Sequence, residues 1–275
     1  QIFMEKTMEK EEAIQELQKE SLQSLSDKDL LFLIESYATR RNDYENIASL
    51  IKGDEDVIAK MIDSDRVFNN VMNCTERILA ISPYFLFSLL LRRAFKEKRK
   101  DTKFIKMTIE ALNKTEPVIP WDKNRLMGLL EDTQVSNYIA NMLAQFTESS
   151  RLYNEKGDEA KSHQYIVDMI TDSLHSDNTE KFHIYCHIGN YTLFLTGMIP
   201  EYIKYRYEYK RRPVDKNYYV GFGKTYYGLA SGNTNARRNR LTGTLSQLSE
   251  GFEVVAQVLS FMNREYFYPA KAVLA

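Results

Sequence analysis

The sequence predicts an all-α fold, and three observations carry that prediction. Apolar residues recur at helical spacing along nearly the whole chain. Alternation of β-branched residues is nearly absent. Eleven glycines and six prolines in 275 residues are too few for a turn-rich β fold. The 43% hydrophobic content supplies a substantial core. The expected architecture is a multi-helix bundle, on the order of ten helices. An N-terminal helical layer, residues 1–112, packs on a C-terminal helical bundle, residues 124–275, across a connector at 113–123. One continuous domain is the alternative arrangement.

The elements follow in chain order. MEKEEAIQELQKE reads as a solvated acidic helix with like-charged i, i+4 pairs, Glu12/Glu16 and Glu16/Glu20. A basic partner relieves them, and the chain's own 201–240 tract is a candidate. Ser26, before Asp27-Lys28-Asp29, caps LLFLIESYATRR, with acids near the helix N-terminus. Ser82-Pro83 places a capping hydroxyl ahead of proline at the first helical position and opens PYFLFSLLLRRAF. NKTEPVIPWDK, 113–123, holds two prolines and the only tryptophan. The residue before each proline is pushed to extended geometry, so the segment is a connector, pinned by Trp121. Val135, Tyr138, Ile139, Met142, Leu143 and Phe146 form one apolar stripe. NEKGD at 154–158 is a turn, and SGNTNARRN at 231–239 is a polar, flexible, basic joint. Leu245, Leu248, Phe252, Val255, Leu259 and Met262 alternate steps of three and four, a short intramolecular seam.

Composition excludes several classes. Cys74 and Cys186 are the only cysteines, which gives neither a disulfide framework nor a Cys-x-x-Cys metal site. The N-terminus lacks the basic-then-apolar layout of a secretory signal. A cytoplasmic location is therefore expected. The longest apolar run, Phe85 to Leu91, is far short of the roughly 20 residues of a membrane span.

Residues 182–228 hold ten of the 18 tyrosines and two of the four histidines. The overlapping tract 201–240 has ten Lys/Arg against three Asp/Glu, in a chain of net charge −1. Charge is thus segregated. Tyr202, Tyr205 and Tyr209 lie at i, i+3 and i+7, with Lys204, Arg206, Lys210, Arg211 and Arg212 between and after them. Tyrosine and arginine together dominate protein–protein hot spots, and they also contact phosphates and stack on bases. The simpler alternative is an amphipathic helix whose tyrosines pack inward while the cations stay in water. A protein partner or self-association is the expectation, with nucleic acid the lesser one because net charge is near zero.

Glu180, His183 and His187 lie at i, i+3 and i+7, one face of a helix. Two imidazoles and a carboxylate suit a divalent metal. Asp172 and His175 add an Asp-x-x-His pair only a few residues upstream, too close for the two helices of a di-iron centre. No cofactor is expected; a divalent metal at this face is the alternative, and ordinary helix residues the simpler reading. GFGKT at 221–225 resembles the tail of a phosphate loop, but Tyr218 stands where the first glycine is required. Cys186 and His187 are neighbours and point about 100° apart on a helix, so they form no dyad. No Gly-x-Ser-x-Gly elbow exists. The leading function is a non-enzymatic interaction or regulatory protein. A helical-bundle metal or small-ligand protein, with or without catalysis, is the alternative.

SPYFLFSLLLRRAF (82–95), PVIPWDKNRL (117–126) and IGNYTLFLTGMIPEYI (188–203) resemble segments of a family of uncharacterised bacterial helical proteins. The resemblance spans roughly residues 75–265. It implies a bacterial, cytoplasmic helical protein and transfers no functional residue.

Overall fold

The computed structural model describes residues 21–38, 43–73, 81–147, 162–209 and 215–267. Among them 85% are helical, in fifteen α-helices and two short helical turns at Leu22–Ser24 and Asn263–Phe267, and no strand occurs. The fold is all-α. The helices exceed the expected ten because the N-terminal region is cut into short pieces and the polar joint at 231–239 is itself helical.

After a 3-10 turn at Leu22–Ser24 come α1 (Asp27–Tyr37), α2 (Tyr44–Ile51), α3 (Glu55–Ile62) and α4 (Asp65–Asn73). Ser26 and Asp29 build a reciprocal capping box on α1. The Asp29 amide donates to Ser26 Oγ at 3.2 Å, and the Ser26 amide donates to Asp29 Oδ2 at 3.3 Å. The other Asp29 oxygen accepts the Ser82 amide at 2.7 Å. Asp29 is buried, and this bond is why burial is tolerated. It ties the start of α1 to the start of α5 (Pro83–Lys100), which Ser82 caps through the Phe85 amide at 3.1 Å.

The inner face of α5 carries Tyr84, Phe85, Leu89, Leu91, Ala94 and Phe95 into the core. It packs against α8 (Thr133–Thr147) and α15 (Phe252–Met262). Between them run α6 (Thr102–Asn113) and α7 (Lys123–Glu131). All six residues of the Val135–Phe146 stripe are buried on α8. The buried apolar residues form one cluster that extends from Leu22 to Tyr266.

The connector is braced. Asn113 Nδ2 donates to the Trp121 carbonyl, and Asn113 Oδ1 accepts the Trp121 amide, both at 2.8 Å. Trp121 is 6% exposed, and the Arg125 guanidinium lies 4.1 Å from its ring centroid.

The second half comprises α9 (Ser162–His175), α10 (Asn178–Met198), α11 (Pro200–Tyr209), α12 (Lys216–Gly232), α13 (Thr234–Arg238), α14 (Thr242–Glu250) and α15. Helix α10 is the hub and packs on α9, α11, α12 and α15. Its contact with α12 is close because glycines alternate across it. A Cβ on Gly189 would sit 2.6 Å from the Tyr227 ring of α12, and one on Gly223 2.8 Å from Thr192 Oγ1 of α10 and 2.1 Å from the Phe252 ring of α15. GFGKT is therefore the middle of a helix. The apolar seam 245–262 is divided between α14 and α15 at Gly251, where a Cβ would meet Leu129 at 2.3 Å. At the end of α10, Ser260 Oγ donates to the Gly197 carbonyl at 2.9 Å and Asn263 Nδ2 to the Met198 carbonyl at 2.7 Å. The turn expected at 154–158 lies outside the described residues. Among the described residues no helix is long and apolar enough to cross a membrane.

Candidate interaction surface

Helix α11 starts at Pro200, and among its described side chains Ile203, 4% exposed, is the one that is buried. Tyr202, Tyr205 and Tyr207 are 37%, 51% and 51% exposed, and Lys204 is exposed between them. The sequence left open an inward tyrosine stripe; Tyr202 and Tyr205 are exposed instead, and Ile203 is the buried residue beside them. Tyr207, absent from the i, i+3, i+7 pattern, joins the outer face. Arg206 and Tyr209 belong to α11, but their side chains are outside the described residues, as are Lys210, Arg211 and Arg212 altogether.

A second aromatic group lies on α12. Tyr218, Phe222 and Tyr226 are spaced i, i+4, i+8 and are all half-buried. Tyr218 and Phe222 have ring centroids 4.6 Å apart; Phe222 and Tyr226 stack at 5.8 Å with planes 9° apart. Tyr185 of α10 continues the row, 5.4 Å from Tyr226. Burial, then the neighbouring tyrosines, raises the Tyr226 hydroxyl above its usual pKa. Burial and Tyr219 do the same to Tyr218. The row was present in the sequence as an i, i+4 repeat, masked by the density of tyrosines around it.

Beneath these surfaces sits a closed polar group. Asn190 Oδ1 accepts the hydroxyl of Tyr138 at 2.9 Å and that of Tyr227 at 2.8 Å. The two rings meet edge-on, 6.4 Å apart. Burial pushes both hydroxyls well above their ordinary pKa and pushes the adjacent Cys186 thiol up to about 12. A thiol in that state carries no thiolate at neutral pH, so Cys186 behaves as a small apolar residue.

The metal candidates occupy the first turns of α10. Asp177 caps that helix, accepting the Thr179 and Glu180 amides at 2.9 and 2.8 Å. His183 and His187 are half-buried among rings. His183 lies 5.9 Å from Phe182; His187 lies 6.2 Å from Phe146 and stacks on Tyr191 at 6.4 Å. Glu180 is on the same helix, yet the described residues hold no group of three His, Cys, Asp or Glu placed for a metal. His175 and Asp172 are exposed on α9.

A further basic segment runs along α5 into α6. Residues 92–106 contain eight Lys/Arg against two acids. Most of these cations are committed to structure. Arg92 forks onto Asp63 at 2.8 and 2.7 Å. Arg93 pairs with Asp65 and with Glu97 at 2.7 Å, over the Phe68 ring at 4.8 Å. That hydrogen bond and charge hold the Asp65 carboxyl below its usual pKa. Lys98 sits 4.0 Å over Phe261. The small cleft they leave, about 130 Å³, is lined by Asp65, Arg93, Lys96, Glu97 and Lys100, so paired carboxylates already fill much of its charge.

No family model matches the chain, and no curated protein or solved structure matches it either. The functional reading therefore stands on the geometry above.

Proposed function

We propose that the protein is a non-enzymatic interaction protein, regulatory in role, that docks an acidic protein partner on the outer face of α11 and the basic tract around it. The carrying observation is the outward display of Tyr202, Tyr205 and Tyr207 beside Lys204, while Ile203 is buried beneath them. Tyrosine supplies large contact area with few rotamers to freeze, which is why it concentrates at interfaces. The excess of ten cations over three acids in 201–240 favours an acidic counterpart. Base stacking is less well served: Phe222 and Tyr226 spend ring faces on each other.

The test is capture of a partner from the native host, followed by affinity measurement with that partner purified. Tyr205→Ala with Tyr207→Ala, and separately Arg211→Glu with Arg212→Glu, should weaken binding at least about tenfold. Melting temperature should stay nearly constant, because exposed positions rarely carry the fold. Identical affinity in wild type and both double variants overturns the reading. Salt-sensitive recovery of nucleic acid would put nucleic acid in the protein's place. Stoichiometric divalent metal in the purified chain would promote Glu180, His183 and His187 instead.

A further inference from the structure

We propose that the corner where α9 meets α13 is a two-fold interface, through which a second copy of this chain pairs its arginines with the acids of the first. Helix α9 packs on α10 through Ile166, Met169 and Ser173, yet its outer side is not purely polar. Val167 is 41% exposed and Leu174 71%; seven residues apart, they share one face of the helix. Exposed Asp168 and Asp172, one turn apart, border them. Apolar side chains edged by charge are the anatomy of a docking face, an apolar centre with a polar rim. The opposite charge stands close by. Arg237, Arg238 and Arg240 are exposed at the end of α13 and just past it. None of these two acids and three arginines enters an ion pair among the described residues. A lock ties the end of α9 to the start of α13. Asn178, three residues beyond His175, donates through Nδ2 to Asn233 Oδ1 at 3.2 Å and Thr234 Oγ1 at 2.9 Å, and Asn233 Nδ2 donates back to the Asn178 carbonyl at 3.1 Å.

The arrangement of charge, not its sum, selects the occupant. Asp177 and Glu180 at the start of α10 join the two acids of α9, and Lys181 joins the three arginines. With His175 neutral, four acids stand against four cations. A polyanion or an anionic membrane gains nothing from a corner of zero net charge and meets Asp168 and Asp172 besides. The surface that fits carries both signs in reversed order. A second copy turned about a two-fold axis presents that order by identity, because residue i meets j where j meets i. Helix α9 is about 21 Å long. Counted twice, with α13, its face lies at the small end of specific interfaces, so the dimer is reversible in the micromolar range. Helix α11 leaves the opposite end of α10, about 30 Å away, so this interface is separate from the tyrosine face and does not depend on its role.

The experiment is sedimentation velocity on the purified full chain, from about 1 to about 100 μM. It should show a monomer–dimer equilibrium, weakened at least about threefold when salt rises from about 0.05 to about 0.5 M. Arg237→Glu with Arg238→Glu should raise the dimer Kd at least about tenfold, and Asp168→Lys with Asp172→Lys equally, because each change sets like charges across the axis twice. Both variants should keep the melting temperature of the dilute wild type, since all four side chains are exposed. Mixed in equal amounts, the two variants should form a one-to-one heterodimer, each supplying the sign that the other lacks; chains that had merely misfolded would not. Tyr205→Ala with Tyr207→Ala should leave the dimer unchanged. A wild type that stays monomeric throughout overturns the proposal. So does undiminished dimerisation of either charge variant, or a mixture without heterodimer. Loss of the dimer in the tyrosine variant also overturns it, by moving self-association to α11.

Discussion

Tyr138 and Tyr227 differ from Tyr202, Tyr205 and Tyr207 in nothing but their surroundings. The first two are buried, and their hydroxyls converge on one amide oxygen of Asn190. The other three stand on α11 with a third to a half of their surface open. A phenol is an apolar ring with one polar atom. In the core that atom must be matched, so its position dictates where Asn190 has to be and how α8, α10 and α12 pack. On the surface the atom can reach solvent, so the ring's position is not dictated by a buried acceptor. Tyrosine count therefore says little about role; the location of the hydroxyl's acceptor says much.

Removing the shared acceptor should break the buried side of this contrast. Asn190→Ala leaves two phenol hydroxyls in the core without their acceptor, and about 4 kcal/mol of stability should be lost in chemical denaturation. A loss under about 1 kcal/mol would mean that water enters and the group is not closed. Trp121→Ala, at the other well-braced site, should cost about 3 kcal/mol. An unchanged midpoint would make the connector a slack linker.

Gly223→Ala should cost about 2 kcal/mol, because the added methyl meets the ring of fully buried Phe252. A neutral result would show that α12 and α15 have room to separate. Alkaline titration probes the same core. Cys186 binds its proton more tightly in the folded state, with its pKa raised from 9.0 to about 12. The contribution is whole below pH 9 and is lost as pH climbs toward 12. The slope is about 1.4 kcal/mol per pH unit, and Tyr138 and Tyr227 act in the same sense. Cys186→Ala should flatten part of that decline, and native Cys186 should resist thiol reagents at pH 8. Rapid labelling of Cys186 in the native state would contradict its burial. Smallest in stability is the outer face: Tyr205→Ala with Tyr207→Ala should shift the unfolding free energy by a few tenths of a kcal/mol. A shift above about 2 kcal/mol would place those rings in the structural class and erase the contrast.

Local rules served the sequence reading well. Ser26 and Ser82 cap the helices assigned to them, the 135–146 stripe is buried throughout, and the failed phosphate-loop spacing matches a helix at Gly221–Thr225. These signals live within one or two turns of chain. What stayed hidden depends on neighbours far away in sequence. Asn190 is an unremarkable residue until Tyr138 and Tyr227 arrive from two other helices. The 245–262 seam is continuous in spacing, but Leu129 presses on Gly251 and divides it. On α11 the spacing singled out tyrosines, whereas Ile203 took the inward position because a phenol there would need an acceptor and isoleucine needs none.

The pair of hydrogen bonds from Ser260 and Asn263 to the carbonyls of Gly197 and Met198 has a bearing on the tyrosine helix. Those carbonyls end α10, and the chain leaves them through Ile199 into Pro200, the first residue of α11. Side chains from the C-terminal helix thus act as a gimbal for the display helix: they set the angle at which the chain departs, and with it the direction in which Tyr202, Tyr205 and Tyr207 are aimed. A small roll of α15 on the core would re-aim the whole face without touching one of its residues. The aim of that face is therefore coupled to residues more than fifty positions downstream, through two polar side chains that lie outside it.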